Sequence, residues 1–143
     1  MYKKILVPLD NSLTDKAILV HIRPLAKMAH AQIVLMHVAD GFGARLQDQL
    51  NLADSEEIKK DQAYLDSHCQ ELTEEGFQVK AVLVQGKEPV VGILDLAVSE
   101  GCDLIAMATH GHGFVKDMIL GSVADRLRHK TDIPILMIRS AEK

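Results

Sequence analysis

Two loops in this chain combine small residues with polar ones in a way that suits an anion. Pro8, Leu9, Asp10, Asn11 and Ser12 end or follow the apolar run Ile5 to Leu9, while Ala108, Thr109, His110, Gly111, His112 and Gly113 end or follow the run Leu104 to Ala108. The second loop continues to Gly121 and Ser122, with nine residues between Gly111 and Gly121, where a helical pattern is expected to start and to carry Val123 and Leu127. Glycine lets a backbone approach an anion closely, and a helix N-terminus supplies unpaired N–H groups with a favourable dipole, to which the Ser122 hydroxyl adds a donor. The same residues also serve as turn formers and helix caps, so this pattern alone leaves a phosphate site and an ordinary loop both open.

Other chemistries find less support. Gly111 and Gly113 are not followed by Gly-Lys-Ser or Gly-Lys-Thr at the required offset, so no P-loop is present. Gly41-Phe42-Gly43 lacks a third glycine at Leu46 and follows the second apolar run instead of the first, which argues against a dinucleotide fingerprint. His110 and His112 stand two apart, but no third metal ligand is placed beside them by the sequence. Lys116 reads as a loop charge or as a cation for a γ-phosphate. Asp10 is the one carboxylate that the two loops are expected to bring near a ligand, thin support for hydrolysis.

The elements that must position these loops are short. Strand-length apolar runs occupy Ile5 to Leu9, Ile33 to Val38, Val79 to Val84, Leu104 to Ala108 and Ile135 to Ile138. Most are nearly continuous in Ile, Val and Leu, as in parallel strands covered on both faces. Gln78, Lys80 and Gln85 interrupt the third run, which therefore reads as a less buried edge strand. Helical patterns lie between the runs. The first starts after Asn11 and Ser12, either of which can cap it, and is expected to bend at Pro24. The second covers roughly Ser55 to Glu75 and closes at Gly76; the third covers about Glu88 to Glu100, with Val90, Val91, Ile93, Leu94 and Ala97 expected inside and Gly101 closing it. Asp40 to Asp54 reads as a loop. The alternation implies an α/β fold, an open five-stranded parallel sheet with helices on both faces. Ligands of such sheets gather at the carboxyl ends of strands, where both loops lie.

Whole-chain properties narrow the partners. The 143 residues suit a single domain, and 16 basic against 20 acidic side chains give a net charge of -4 with no basic footprint for a nucleic acid. Three Phe, two Tyr and no Trp leave few stacking platforms for single strands. Cys69 and Cys102 form no metal or disulfide pattern, no apolar run approaches a membrane span, and Met1 to Leu9 is too short for a signal peptide. A cytoplasmic protein is expected.

Met1 to Asp10, Asp103 to Gly113 and Leu120 to Ile138 together resemble the universal stress protein family, and the resemblance extends over essentially all of residues 1–143. Nucleotide-binding members carry Gly, two residues, Gly, nine residues, Gly, then Ser or Thr. Gly111, Gly121 and Ser122 match that spacing, Thr109 and His110 fill the variable places, and Ala108 stands where the first Gly would be. The resemblance implies a Rossmann-like sheet of order 3-2-1-4-5. It also implies a site for ATP, ADP or AMP, with or without Mg²⁺: Pro8, Leu9 and Asp10 toward the adenosine, the Val38 backbone toward the adenine, and Ala108, Thr109, His110, Gly111, His112, Gly113, Gly121, Ser122 and Val123 around ribose and phosphates. The Ala108 methyl keeps the amide and is expected to be tolerated. A nucleotide-responsive stress module, homodimeric through its last strand, is the implied function. The alternatives are a slow ATP-hydrolysing or phosphotransfer enzyme and a nucleotide-free dimerisation protein.

Overall fold

The computed structural model describes residues 1–39, 52–109 and 118–140, without the side chains of residues 52–55 and 118–121. Nine elements alternate: β1 (Lys4–Pro8), α1 (Thr14–Ala29), β2 (Gln32–Val38), α2 (Leu52–Glu74), β3 (Val79–Val84), α3 (Pro89–Glu100), β4 (Leu104–Thr109), α4 (Met118–Leu127) and β5 (Ile135–Arg139). The strands form one parallel sheet in the order β3-β2-β1-β4-β5. β3 is an edge, as its polar interruptions implied, and its residues are only partly buried or exposed.

Side chains alternate across each strand, so the sheet carries a core on either face. On one face Ile5, Val7, Ile33, Leu35, Leu104, Ala106 and Ala108 meet Ile18, Leu19 and Ile22 of α1 and Leu65 and Leu72 of α2. On the other, Leu6, Val34, Met36, Ile105 and Met107 meet Val90, Ile93 and Ala97 of α3 and Val123, Ala124 and Leu127 of α4. No helix of the described residues is long and apolar enough to cross a membrane.

Several boundaries differ from expectation. α1 begins at Thr14 with Leu13 as N-cap and no side-chain cap, because the Ser12 hydroxyl is drawn to the Asp10 carboxylate at 2.5 Å. The helix continues across Pro24 to Ala29. α2 begins at Leu52, so the last residues of the expected 40–54 loop are helical, in keeping with the strong helix propensity of Leu and Ala. α4 begins at Met118, one turn before Gly121: Ile119 and Leu120 stand at helical spacing ahead of Val123 and Leu127 and extend the same pattern. Val91 is 47% exposed, since its neighbours Val90 and Gly92 take the buried face. α3 otherwise has the expected ends. Pro89 sits in its first turn, the Glu88 carboxylate accepts the Val91 N–H at 3.2 Å, and Gly101 closes it at a φ of 70°, where a Cβ would be strained.

Candidate functional site

The two central strands part early. β1 is in register with β2 over five residue pairs, from Lys4↔Gln32 to Pro8↔Met36, but with β4 only at Ile5↔Leu104 and Leu6↔Ile105. Beyond Leu6 the carboxyl half of β1 is no longer laddered to β4, and Pro8 has no N–H with which to continue. β1 is followed by β2 on one side while the chain crosses from β3 back to β4 on the other, so this opening lies where strand order reverses. Its banks are Pro8 to Asp10 and Ala108 to Thr109.

Each expected residue on these banks has a definite environment. Leu9 donates its N–H to the Met36 carbonyl at 2.7 Å, its carbonyl meets His37 Nδ1 at 2.9 Å, and its side chain lies in the first core, so Leu9 shapes the bank. The Ala108 methyl belongs to that same core, directed away from the opposite layer that holds Met107. Thr109 is half-buried at the strand end, and its carbonyl accepts the N–H of the buried Ser140 at 2.6 Å. Ser122 is exposed on α4, while the Val123 side chain is packed in the second core. Because α4 starts at Met118, its unpaired N–H groups belong to a turn in which Gly121 is the fourth residue, with Ser122 and Val123 after it. His110, Gly111, His112 and Gly113, with Lys116, lie outside the described residues.

Among the described residues the turn after β1 is heavily braced by polar groups. Asn11 adopts a φ of 60°, a conformation that Asn tolerates better than most residues, and this brings Asp15 of α1 back onto the turn. Asp15 Oδ1 accepts the Asp10 N–H at 3.0 Å, and Oδ2 accepts the Ser12 N–H at 3.2 Å and the Tyr64 hydroxyl at 2.9 Å. The Ser12 link resembles the returning half of a capping box, displaced one residue ahead of the Leu13 cap and made by Asp in place of Glu. Asp10 in turn accepts the hydroxyls of Ser12, at 2.5 Å, and Thr14, at 3.2 Å. A second brace comes from Asp61 of α2, which accepts Asn11 Nδ2 at 3.1 Å and lies 3.7 Å from His37 Nε2. The buried Asn11 Oδ1 has no partner among the described residues.

Two carboxylates this close oppose each other. Asp15 is 1% exposed, and burial first, then the charge of Asp10, raise its pKa to about 7, although its three donors pull the other way. Burial and the charge of Asp15 push the Tyr64 hydroxyl well above its usual range. Asp10 is the carboxylate of the turn itself, and Asp15 and Asp61 join it there from α1 and α2. His37 ties β2 to the Leu9 carbonyl.

Val38 ends β2, on the side of β1 away from the opening. There α3 comes close enough that a Cβ on Gly92 would lie 3.2 Å from Val38 Cγ2 and 3.3 Å from Val84 Cγ1. Glycine is needed at Gly92 for this approach, not for backbone conformation. Glu88, at the start of α3, is joined to Arg126 of α4 at 2.8 Å, which fixes the two helices of this layer to each other. Among the described residues no three His, Cys, Asp or Glu side chains form a group that could hold a metal.

Residues 1–139 match the model of the universal stress protein family. The universal stress protein MJ0577 of Methanocaldococcus jannaschii is 28% identical over 156 residues, covering 97% of this chain and 96% of the relative. The solved structure of MJ0577 superposes with a TM-score of 0.84 at 29% identity, covering 100% of this chain and 99% of that one. A universal stress protein from Archaeoglobus fulgidus, solved in complex with dAMP, shares the fold at 22% identity with a TM-score of 0.69, over 96% of this chain and 98% of that one. The strand order, the two-sided core and the match along nearly the whole length agree: the chain belongs to the universal stress protein family.

Proposed function

We propose that this protein binds an adenine nucleotide in the opening between β1 and β4 and acts as a nucleotide-responsive module. The observation that supports this best is the early parting of β1 from β4 at the sheet's switch point, with Asp10 on one bank and the Thr109 to Ser122 segment leading from the other. A carboxylate accepts hydrogen bonds only, so Asp10 suits ribose hydroxyls and repels phosphates. The phosphates then belong on the opposite bank, toward Gly111, Gly121 and the first turn of α4, where the helix dipole favours them. Adenine fits beside Val38, where Gly92 keeps α3 tight against the end of β2. The Ala108 methyl lies in the core, which favours its being tolerated at the place of a motif glycine. The dAMP held by the Archaeoglobus fulgidus protein belongs to that protein and is in keeping with the reading.

The test is the nucleotide content of freshly purified protein, by chromatography and mass, followed by calorimetric titration with ATP. Bound adenine nucleotide or ATP uptake is expected, and Gly121→Val abolishes it by filling phosphate space. Protein that carries none and takes up none, or a Gly121→Val variant that binds as tightly as the parent, contradicts the reading. ATP turnover above a heat-treated control would instead indicate a slow hydrolase.

A homodimer through β5 forms part of the same proposal. β5 is an edge strand, and Met137 is 52% exposed within an apolar run, where an unpaired edge would ordinarily carry charge or proline. Pairing with the β5 of a second copy would extend the sheet across a two-fold axis. A monomeric sedimentation profile at micromolar concentration would overturn this, whereas a dimer that Met137→Lys weakens would support it.

A further inference from the structure

We infer that Asp15 is the positioning residue of the proposed nucleotide site: by gathering the main-chain N–H groups of Asp10 and Ser12 onto one buried carboxylate, it sets the turn from which Asp10 meets the ribose. The inference rests on the nucleotide reading above. Asp15 is itself buried and so acts on the ligand only through Asp10. Its three donors come from two elements, the β1–α1 turn and Tyr64 of α2, so the second helix holds the turn as well. All three require an acceptor. Once Asp15 takes up a proton inside the same buried pocket, its bonds to the two main-chain N–H groups are no longer charge-assisted, and the turn loosens locally even though the fold as a whole gains from the buried carboxyl being neutral.

Among the described residues the groups around Asp15 are Asp10 on the turn, Tyr64, Asp61 and His68 on α2, and His37 on β2, while β4 brings the apolar Leu104, Ala106 and Ala108 to this side of the sheet. Asp10 is the one that raises Asp15 most among them, and with burial it sets the pKa at about 7. The ionised, turn-holding form therefore grows from a minor to a major fraction between pH 6 and pH 8.

Adenosine is the probe for the test, because it bears no phosphate to titrate in that range. Calorimetric affinity of the parent for adenosine rises about tenfold from pH 6 to pH 8, following the fraction of competent turn. Asp15→Asn keeps the shape but not the charge, and its affinity stays flat across that range near the parent's pH 6 value; His37 and His68 are present in both proteins, so the difference belongs to Asp15. Tyr64→Phe, a milder change that leaves both main-chain donors, retains the rise. Independently of any ligand, amide hydrogen exchange at Asp10 and Ser12 quickens in Asp15→Asn. Equal pH profiles for parent and Asp15→Asn, with unchanged exchange at both amides, overturn the assignment of Asp15 while leaving nucleotide binding intact. A parent that binds neither ATP nor adenosine overturns both.

Discussion

The two ends of the sheet handle charge in opposite ways. At the amino end unlike charges meet near solvent: Glu100 lies 2.7 Å from Lys80 and 3.8 Å from Lys4, and Asp103 accepts the N–H groups of Lys3 and Lys4 at about 3.0 Å. The Lys80 hydrogen bond holds the Glu100 carboxyl below its usual range despite some burial, and the Lys3 and Lys4 amides do the same for Asp103 against its own desolvation. At the carboxyl end Asp10 and Asp15 are like charges on one turn, and Asp15 is pushed up to about 7 by burial and by its neighbour. An arrangement that raises a carboxyl this far weakens the fold at neutral pH. Three donors and two hydroxyls are organised around it, in keeping with the nucleotide site proposed for this turn.

The largest effect on stability should follow from that turn. The folded pKa of Asp15 lies above the 3.8 ordinary for an aspartate in an unfolded chain, so the folded state holds more protons between those values. Its contribution is complete below pH 4 and is lost as pH rises through 7. Urea unfolding at pH 5 and pH 7 should show the parent losing on the order of 2 kcal/mol more than Asp15→Asn over that interval. Equal slopes would erase the contrast between the two ends.

A smaller effect is expected at the amino end. Asp103→Ala removes the acceptor of the Lys3 and Lys4 amides and should cost about 1 kcal/mol at pH 7. Because the Asp103 pKa is lowered in the fold, this contribution is present above pH 4 and fades as pH falls below it, the reverse of Asp15. Thermal unfolding of parent and variant at pH 7 and pH 3 measures it. The smallest change is Glu100→Gln, whose partners are surface lysines: about 0.5 kcal/mol or less, shrinking further in 0.5 M salt. A loss of several kcal/mol would mean that the amino end is more than a solvated ion-pair cluster.

The fold was legible in the sequence because five runs of Ile, Val and Leu are separated by helical periodicity, and because Gln78, Lys80 and Gln85 mark β3 as an edge. The place proposed for the site rests on the same pattern, since β1 and β4 are neighbours at the switch point of such a sheet. What was not legible depends on helix packing. Tyr64 and Asp61 reach the turn from α2, some fifty positions away, and only the seating of α2 on the first core brings them there. Asp15 did carry a local signal, three residues after Ser12 as in a capping box, but it reads equally well as an ordinary acid in a first helical turn. The start of α4 was misread because Gly121 and Ser122 look like a cap, although Ile119 and Leu120 ahead of them continue the apolar spacing.

The amino end also has a cavity, about 550 Å³, lined by residues that include Lys4, Gln32, Phe77, Lys80 and Glu100. It is a rival place for a small anionic ligand, with two lysines on its walls. Amide chemical shifts recorded during an ATP titration of the parent protein distinguish the two ends in one experiment. Saturable shifts at Asp10, Val38, Thr109 and Ser122, with Lys4, Gln32 and Lys80 unmoved, are the expected result. Shifts confined to Lys4, Gln32 and Lys80 would put the nucleotide at the wrong end of the sheet and contradict the account.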